Sequence, residues 1–321
     1  MQKRGIKELN IGEDFTGFCI VRKKELKQKK NGELYLKLEI GDQSGRLNGK
    51  VWQEAREIYD GVKVGQMIKI MGTVQSYKNS REIHIHRLRA ARRQELIRRE
   101  ELLPKSDRDI AKLKQLFMEH FHSIQQEYLS CLLRRIFKDE VVLDKYLSMP
   151  SGKLWHHNYL YGNLEHMVCL LDLAETMSDH YPAIKKDLLK TAVILRNLGN
   201  MLQFSTAGFI DYTTVGRLLG LPTLAFQKLK QEIDSISDFP AELKIQLVHL
   251  ILSQESQVEK TASVLPMTIE AIVLNQLIQL DILTNAAQRI IRNDRLPDSN
   301  WTKYNNLLQR FIYVGQNAES K

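Results

Sequence analysis

The first ninety residues alternate between apolar and polar positions, and this alternation predicts β-strands. The alternating segments are FTGFCIVRKKELK (15–27), ELYLKLEIGD (33–42), GRLNGKVW (45–52), QMIKIMGTVQSYK (66–78) and REIHIHRLRAA (81–91). A period of two is typical of strands that bury one face. Turn residues such as Asn31-Gly32 separate the segments, because Asn and Gly tolerate a positive φ. The pattern predicts five antiparallel strands.

A short helix is predicted between the third and fourth strands, where the chain reads QEAREIYDGVKVG (53–65) and ends in a glycine turn. Five strands with a helical insert after the third follow the order of an OB-fold. This fold is a small Greek-key barrel whose strand 2–3 face often binds single-stranded nucleic acid. We therefore expect the first domain to be a five-stranded OB-fold β-barrel.

Beyond the barrel, the apolar residues recur at helical spacing. ARRQELIRREE (91–101) predicts a charge-dense spacer helix with i, i+4 pairs of Arg and Glu. DIAKLKQLFMEHFHSIQQEYLSCLLRRIF (109–137) predicts the next helix, and no later segment up to Tyr313 alternates like a strand. The predicted fold class is multidomain α+β. Its parts are an OB-fold nucleic-acid-binding domain over 1–90, a helical connector over 91–148, an all-α domain over 149–315 and a tail over 316–321.

Positive charge is concentrated in the first third of the chain. The 321 residues carry a net charge of +9, and residues 1–103 alone contain 23 Lys and Arg against 14 Asp and Glu. The remaining residues are therefore balanced. Such an excess on a small domain is typical of polyanion binding, because Lys and Arg displace the counterions condensed on phosphates. A basic surface that serves only solubility is the alternative.

Composition also limits the class of protein. Cys19, Cys131 and Cys169 are widely spaced and form no C-x-x-C pair, which argues against a disulfide framework or a thiolate zinc site. The N-terminus lacks the apolar segment of a secretory signal. No apolar run approaches the roughly 18 residues of a membrane span. We expect a cytoplasmic protein that has no membrane partner.

Aromatic and basic residues share faces of the predicted barrel strands, and such surfaces stack bases and follow phosphates. The candidate nucleic-acid-binding residues are Tyr35, Lys37, Lys50, Trp52, Tyr77, Lys78, Arg81 and His84. For Trp52 a place in the barrel core or as its lid is an equally good interpretation. His84 and His86 could chelate a metal, but no third ligand is evident, so a solvated face is the better interpretation.

The helical part carries spaced motifs that indicate a family. In chain order they are HHNYLYGNLEH (156–166), DLLKTAVILRNLGN (187–200), DYTTVGRLLG (211–220), LVHLILSQES (247–256) and LIQLDILTN (277–285). They resemble an HD-domain phosphohydrolase. Together with the OB-fold, the chain from about 10 to 315 resembles the YhaM-type 3′-5′ exoribonucleases of bacteria. The resemblance implies a helical bundle in which histidines and aspartates hold divalent Mn or Mg ions. These ions would activate a water and neutralise the phosphodiester.

Carried over position by position, the resemblance predicts a degenerate metal site, because five of seven positions are replaced. His166 stands at the first ligand histidine, and Asp281 stands at the late aspartate. The replaced positions are the His-Asp pair, here Arg196-Asn197, a histidine after the LLG motif, here Leu221, and a His-His pair, here Gln254-Glu255. His156 and His157 match a family motif and could line the former substrate cleft or pack the helix that follows.

The chemistry of Arg196 determines what these replacements mean. A guanidinium has no lone pair and stays protonated, so it cannot be a metal ligand. It places a fixed cation where a dication would sit, at a cost on the order of several kcal/mol in a poorly screened cavity. We interpret Arg196 as the replacement for the metal, paired with Asp281 or Glu255. The alternative is one weak metal held by His166, Glu255 and Asp281, with Glu165 if it turns inward.

These observations lead to one expected function and two alternatives. The first is a protein that binds single-stranded RNA or DNA and whose HD domain has lost its metals and its catalysis. In this pseudoenzyme no cofactor is expected, and Arg196 could bind a phosphate without cutting it. The second is an active metal-dependent 3′-5′ exoribonuclease or phosphodiesterase with a rebuilt site. The third is a non-catalytic assembly subunit that pairs with an active paralogue or another nucleic-acid enzyme. The HD domain could then form a homo-oligomer or bind a protein partner.

Overall fold

The structure is a computed structural model that describes residues 4–77, 80–95, 98–153, 155–206, 208–254, 264–296, 299–306 and 308–315. The chain divides into two compact units. The first is Met1–Lys105 with Ser205–Asp211, and the second is Ser106–Phe204 with Tyr212–Lys321. None of the helices in the described ranges has the length and hydropathy of a membrane-spanning segment.

The first unit contains a closed β-barrel of the predicted OB type. Its strands are β1 (Asp14–Gln28), β2 (Leu34–Asp42), β3 (Gly45–Val51), β4 (Met67–Tyr77) and β5 (Ser80–Ala90), with helix α1 (Ala55–Gly61) between β3 and β4. The order around the barrel is β1-β2-β3-β5-β4. The core is built from alternate strand residues, and Leu36, Leu38 and Ile40 of β2 are each 0% exposed. The five predicted strands and the helical insert are therefore confirmed.

The prediction that all five strands are antiparallel is wrong at one seam of the barrel. β3 and β5 pair in parallel, with Lys50 beside His84, whereas the other neighbouring strands pair antiparallel. Strand direction alternates from neighbour to neighbour, and five is an odd number. A closed ring of five strands must therefore contain at least one parallel pair, and here it is β3 with β5.

The predicted spacer helix over 91–101 is also wrong. The described residues there form two 3₁₀ turns, Arg93–Glu95 and Arg99–Leu102. The carboxylate of Glu95 accepts hydrogen bonds from the guanidinium of Arg89 at 2.9 and 2.5 Å and from the backbone N–H of Arg92 at 2.8 Å. These bonds fasten the segment to the end of β5. The carboxylate of Glu95 is therefore paired with Arg89, six residues earlier, and not with a residue four positions away as a helix would require.

The second unit is mainly helical, as predicted. Its helices are α2 (Ile110–His122), α3 (Glu127–Ile136), α4 (Glu140–Ser148), α5 (Gly162–His180), α6 (Lys186–Leu195), α7 (Asn200–Gln203), α8 (Thr214–Ile233), α9 (Ala241–Leu252) and α10 (Ile269–Asn293). The helix predicted over 109–137 is broken between α2 and α3. Gln126 causes the break, because its side chain caps α3 by accepting from the N–H of Leu129 at 2.7 Å, while its own N–H donates to Asp187 at 2.7 Å.

The prediction of an all-α second domain needs two corrections. Short strands β6 (Phe204–Ser205) and β7 (Asp211–Tyr212) pair with each other. The rings of Phe204 and Tyr212 stack with centroids 5.2 Å apart, which stabilises this small sheet. After α10 the chain forms isolated bridges, among them Trp301 with Tyr313. These segments are short, so an alternating pattern has no room to develop in the sequence.

Helix α6 matters most for the candidate site. Every residue from Leu188 to Leu195 is buried, so the residues at its C-terminal end are delivered into the interior of the helical unit. Arg196 and Asn197 follow directly, with exposures of 7% and 0%. The N–H of Arg196 still donates to the carbonyl of Ala192 at 2.9 Å. The last helical turn therefore fixes where these two side chains begin.

Candidate functional site

The aromatic residues predicted to bind nucleic acid meet on one outer face of the barrel. We call the face formed by Tyr35, Trp52, Tyr77 and His84 the aromatic surface. The ring centroids of Tyr35 and Trp52 lie 4.9 Å apart at an interplanar angle of 31°, and His84 meets Trp52 edge-on at 6.1 Å. Tyr77 is 48% exposed, and Tyr35 and Trp52 are half-buried. Trp52 therefore lies outside the barrel core, and the rings offer faces on which bases can stack.

Lysine side chains lie against these rings. The Nζ of Lys50 is 3.6 Å from the centroid of Tyr77, and it also forms a salt bridge with Glu82 at 2.7 Å. Because Lys50 is only 9% exposed, it supports the rings more than it reaches a passing strand. The Nζ of Lys29 is 4.7 Å from the centroid of Trp52. Sequence reasoning missed Lys29, although its position beside the Asn31-Gly32 turn was a usable signal.

The remaining predicted residues of the barrel lie around this surface. Lys37 pairs in register with Lys50 across β2 and β3, which places both on one face of the sheet. Arg81 donates to the carbonyl of Leu9 at 2.7 Å, so it also fastens the N-terminal segment. Burial and the nearby His86 lower the pKa of His84, which keeps its ring neutral near pH 7. Lys78 lies outside the described residues.

In the helical unit, four elements bring polar side chains to one buried point. α6 supplies Arg196 at its end, α5 supplies His166, α10 supplies Asp281, and the loop before α5 supplies His157. The loop approaches α5 so closely that a Cβ at Gly162 would lie 2.1 Å from the carbonyl oxygen of His157. Only glycine allows this approach without a shift of the backbone.

These side chains form a continuous hydrogen-bonded chain. The Nη1 of Arg196 lies 2.7 Å from the Nε2 of His166, whose Nδ1 lies 2.5 Å from the Oδ2 of Asp281. The Nε2 of His157 lies 2.7 Å from the same carboxylate oxygen. The Nε of Arg196 donates to the Oε1 of Gln254 at 3.0 Å. The described link from Arg196 to Asp281 thus runs through His166.

The protonation of His166 follows from its partners. A guanidinium only donates hydrogen bonds, so the Nε2 of His166 accepts from Arg196 and the ring proton lies on Nδ1, directed at Asp281. Burial lowers the pKa of His166 to about 4, and Arg196 adds to this effect against the pull of Asp281. Burial opposes the ionisation of Asp281, but His166 and His157 outweigh it and hold the pKa of Asp281 well below its usual range. Arginine and carboxylate are charged, and His166 between them is neutral.

The cluster contains donor atoms of the kind that a divalent metal binds. His157, His166 and Asp281 offer ligand atoms that lie within 4.8 Å of one another. However, the lone pair at Nε2 of His166 is already used by Arg196. A dication at this point would face the guanidinium with a repulsion of about 4 kcal/mol per unit of its charge at roughly 4 Å. With Arg196 in this position the described residues do not fit a dication.

Sequence reasoning did not assign His157 to this cluster. It is 2% exposed, and its ring contacts both Asp281 at 2.7 Å and the hydroxyl of Tyr159 at 3.0 Å. The signal was the His156-His157 pair, which the sequence left open between a cleft and a packing role. Glu165 accepts from the hydroxyls of Ser106 at 2.6 Å and Tyr159 at 3.1 Å, so these hydroxyls occupy its carboxylate.

Of the other positions predicted to be replaced, Asn197, Leu221 and Gln254 line the same cavity as Arg196. The side-chain N–H of Asn197 donates to the Oδ1 of Asn163 at 2.7 Å, while its own Oδ1 has no hydrogen-bond partner. Leu221 follows Gly220, whose φ of +72° kinks α8. Glu255 lies outside the described residues. Its pairing with Arg196 and its place in a metal site therefore remain predictions.

A cavity of about 420 Å³ opens beside this cluster. Its lining combines arginines with buried polar groups, an aromatic ring and apolar side chains. Among the lining residues are Arg196, Asn197, Gln203, Tyr212, Arg217 and Leu221. Burial lowers the pKa of His156, which also lines the cavity, far below its usual value, so this ring is neutral. Among the described lining residues there is no carboxylate.

Comparison with known proteins agrees with this organisation. Residues 20–91 match the family described as OB-fold nucleic acid binding domain. The 3′-5′ exoribonucleases YhaM of Listeria welshimeri and Listeria monocytogenes are each 25% identical over 297 residues, covering 92% of this chain and 93% of theirs. The second OB-fold domain of replication protein A from Methanococcus maripaludis is 22% identical over 28% of this chain and 95% of that domain, with a TM-score of 0.24. The chain is thus similar to the YhaM enzymes along nearly its whole length, and its N-terminal part matches an OB-fold nucleic acid binding domain.

Proposed function

We propose that this protein binds single-stranded nucleic acid, in the first place RNA, and that its helical unit has lost the catalytic metals of the HD-domain enzymes it resembles. The hydrogen bond from Arg196 to the Nε2 of His166 carries the second part of the proposal. It removes the lone pair that a metal would need and places a permanent cation at the same point. The protein then holds a strand without cutting it.

The aromatic surface supports the first part of the proposal. Stacked rings of Tyr35 and Trp52 give bases a sequence-tolerant platform, and each stacked base contributes about 1–3 kcal/mol. The excess of Lys and Arg in the first 103 residues supplies attraction to the phosphate backbone. The relatives at 92% coverage are named exoribonucleases, and this favours RNA over DNA as the ligand.

The proposal is tested with purified full-length protein and a fluorescent single-stranded RNA, in Mn²⁺ and in EDTA. We expect salt-sensitive binding by fluorescence anisotropy and RNA of unchanged length on a denaturing gel in both conditions. Shortening of the RNA that requires Mn²⁺ and disappears in His166→Ala would contradict the proposed loss of catalysis. His180→Ala is the matched control, because His180 is exposed at the end of the same helix.

The second candidate function is an active metal-dependent 3′-5′ exoribonuclease with a rebuilt site. The grouping of His157, His166 and Asp281 within 4.8 Å favours it, as does the similarity to the YhaM enzymes. It requires Arg196 to move away from His166 when a metal binds. Elemental analysis of the purified protein separates the two candidates, because this function needs at least one Mn or Mg ion per chain.

A further inference from the structure

We infer that a ribbon near the end of the chain is a second binding site for single-stranded RNA, on the helical unit and outside its cavity. This C-terminal ribbon consists of residues 300–305 and 310–314, which pair with each other after the end of α10. The inference goes beyond the proposed function, which needs only the aromatic surface of the barrel. Three features of the ribbon support it, namely a fixed backbone, an exposed aromatic face and a local positive charge.

The backbone of the C-terminal ribbon is held by its own hydrogen bonds and by the end of α10. The N–H of Thr302 donates to the carbonyl of Ile312 at 3.0 Å, and the N–H of Lys303 donates to the carbonyl of Asp294 at 2.9 Å. Asp294 is the residue that ends α10. Thr302 is 0% exposed, so the inner side of the ribbon is anchored. Because the backbone is already ordered, a ligand loses little affinity to the ordering of its site.

Four aromatic rings form the outer face of the C-terminal ribbon. Trp301, Tyr304, Phe311 and Tyr313 are between 48% and 57% exposed. The ring centroids of Trp301 and Tyr313 lie 5.1 Å apart, and those of Tyr304 and Phe311 lie 5.2 Å apart, with both pairs edge-on. Phe311 and Tyr313 are two residues apart on a paired segment and therefore share one side. An edge-on pair leaves at least one face of each ring uncovered by its partner, so bases can stack there.

The distribution of apolar side chains favours bases as the occupant. The exposed apolar residues of the C-terminal ribbon are aromatic, whereas its described aliphatic side chains are covered. Leu308 is 8% exposed, and Ile312 and Val314 are half-buried. Exposed apolar surface marks an interaction site. A face of rings without exposed aliphatic side chains suits planar bases, because every base has a π-face that stacks on an aromatic ring.

The charge of the C-terminal ribbon favours a polyanion over an apolar protein partner. Residues 299–315 contain Lys303 and Arg310 but no Asp or Glu, and both cations are exposed. Lys303 precedes Tyr304 and Arg310 precedes Phe311 in the chain, so each cation adjoins a ring of the same pair. Rings flanked by cations bind single strands through base stacking and phosphate contacts. The ribbon thus offers a matching group to both parts of a nucleotide chain.

The test is photo-crosslinking of the full-length protein to a single-stranded RNA that contains 4-thiouridine, followed by digestion and mass spectrometry. We expect crosslinked peptides from the aromatic surface of the barrel and from the C-terminal ribbon. Both crosslinks should saturate with RNA and disappear with an excess of the same RNA without the photoreactive base. The midpoint of the ribbon crosslink against RNA concentration gives the Kd of this site.

Leucine variants connect the binding to the rings. Tyr304→Leu combined with Phe311→Leu keeps apolar side chains on the surface but removes two π-faces. This double variant should raise the Kd of the ribbon by at least about fivefold, the lower end of the effect of one lost stack. Tyr181→Leu is the matched control, because Tyr181 is 49% exposed and lies directly after α5, outside the ribbon. Thermal unfolding confirms that each variant is folded.

Glutamine variants connect the binding to the charges. Lys303→Gln combined with Arg310→Gln should reduce the slope of log K against log salt concentration by about 1.4, because each phosphate contact of a single strand contributes about 0.7. The Nε of Arg310 also donates to the carbonyl of Leu308 at 2.8 Å. Arg310→Lys removes this bond and keeps the charge. The slope should be unchanged in Arg310→Lys, which separates a phosphate contact from a role in holding the ribbon.

The possible results separate this inference from the proposed function. The inference is overturned if the ribbon gives no crosslink, or if its Kd in the double leucine variant equals that in Tyr181→Leu. Sedimentation velocity without RNA examines a second copy of the chain as the occupant. An oligomer that the leucine variant dissociates, together with no ribbon crosslink, would assign the ribbon to a contact between copies and reject the inference. Crosslinks in the barrel alone leave the proposed function standing, whereas crosslinks in the ribbon alone reject the barrel as the binding surface and support the inference.

Discussion

Replacing Arg196 by methionine is the most direct perturbation of the helical unit. Methionine keeps much of the length and packing of the side chain but removes its charge and its donors. The variant leaves two buried acceptors without their described partner, the Nε2 of His166 and the Oε1 of Gln254. Each such loss costs about 1–3 kcal/mol. We therefore expect Arg196→Met to lower the free energy of unfolding at pH 7 by about 2–6 kcal/mol.

The dependence on pH identifies the cause. In the wild type the pKa of His166 is lowered from 6.5 to about 4, so between these values the unfolded chain binds more protons than the folded one. Stability is thus fully present above pH 6.5 and falls as the pH drops towards 4, by on the order of 3 kcal/mol at 1.36 kcal/mol per pKa unit. Without Arg196, His166 can take up a proton beside Asp281. Between pH 6.5 and 4 the free energy of unfolding should therefore fall less for the variant than for the wild type. The difference in stability between the two proteins should shrink in acid.

The measurement is urea unfolding of both proteins from pH 4.5 to 8, followed by circular dichroism. Arg135→Met serves as the control, because Arg135 is 46% exposed and bonds to Glu232 at 3.1 Å, and exposed ion pairs contribute only about 0–1 kcal/mol. If Arg196→Met is as stable as the control at pH 7, or if its deficit does not change with pH, the charge assignment at His166 is refuted.

Three further predictions concern the two units. Tyr35→Ala and Trp52→Ala should each weaken RNA binding by about 1–3 kcal/mol. The double variant should lose less binding free energy than the sum of the two single variants, because the rings lie 4.9 Å apart. Fluorescence anisotropy titrations measure both effects. Lys50→Gln should lower the free energy of unfolding by about 1–3 kcal/mol, since the partly buried carboxylate of Glu82 loses its charged partner, and it should barely change the salt dependence of binding. Arg196→His with Asn197→Asp introduces a His-Asp pair. Mn²⁺ at about 100 times its Kd should therefore stabilise this variant by about 2.7 kcal/mol in denaturant titrations and leave the wild type unchanged.

The barrel could be predicted from sequence because its signals are local. Alternation and turn residues set the five strands, and the same alternation placed Tyr35 and Lys37 on one face. Direction is not encoded in a period of two, so the parallel pairing of β3 with β5 could not be found this way. The failed helix over 91–101 has a related cause. Its local pairing pattern was overridden by the contact of Glu95 with Arg89.

The candidate site in the helical unit was only partly accessible to sequence reasoning. The buried run before Arg196 and the family motifs indicated where that side chain belongs. The contact of His157 with Asp281 joins residues 124 positions apart in the sequence. The spacing of apolar residues predicts local structure and cannot predict such a long-range contact. The cavity could not be foreseen either, because it depends on the kink at Gly220 and on how α8 lies against the end of α6.

The guanidinium at the end of α6 also changes what the helical unit needs from its surroundings. A bundle whose central positive charge is a bound ion folds and works only as far as the supply of that ion allows. Here the positive charge belongs to the side chain of Arg196 and is part of the polypeptide itself. Chelation or starvation for transition metals should therefore leave this protein folded and able to bind nucleic acid. Nucleases that depend on a bound ion should be inactive under the same conditions.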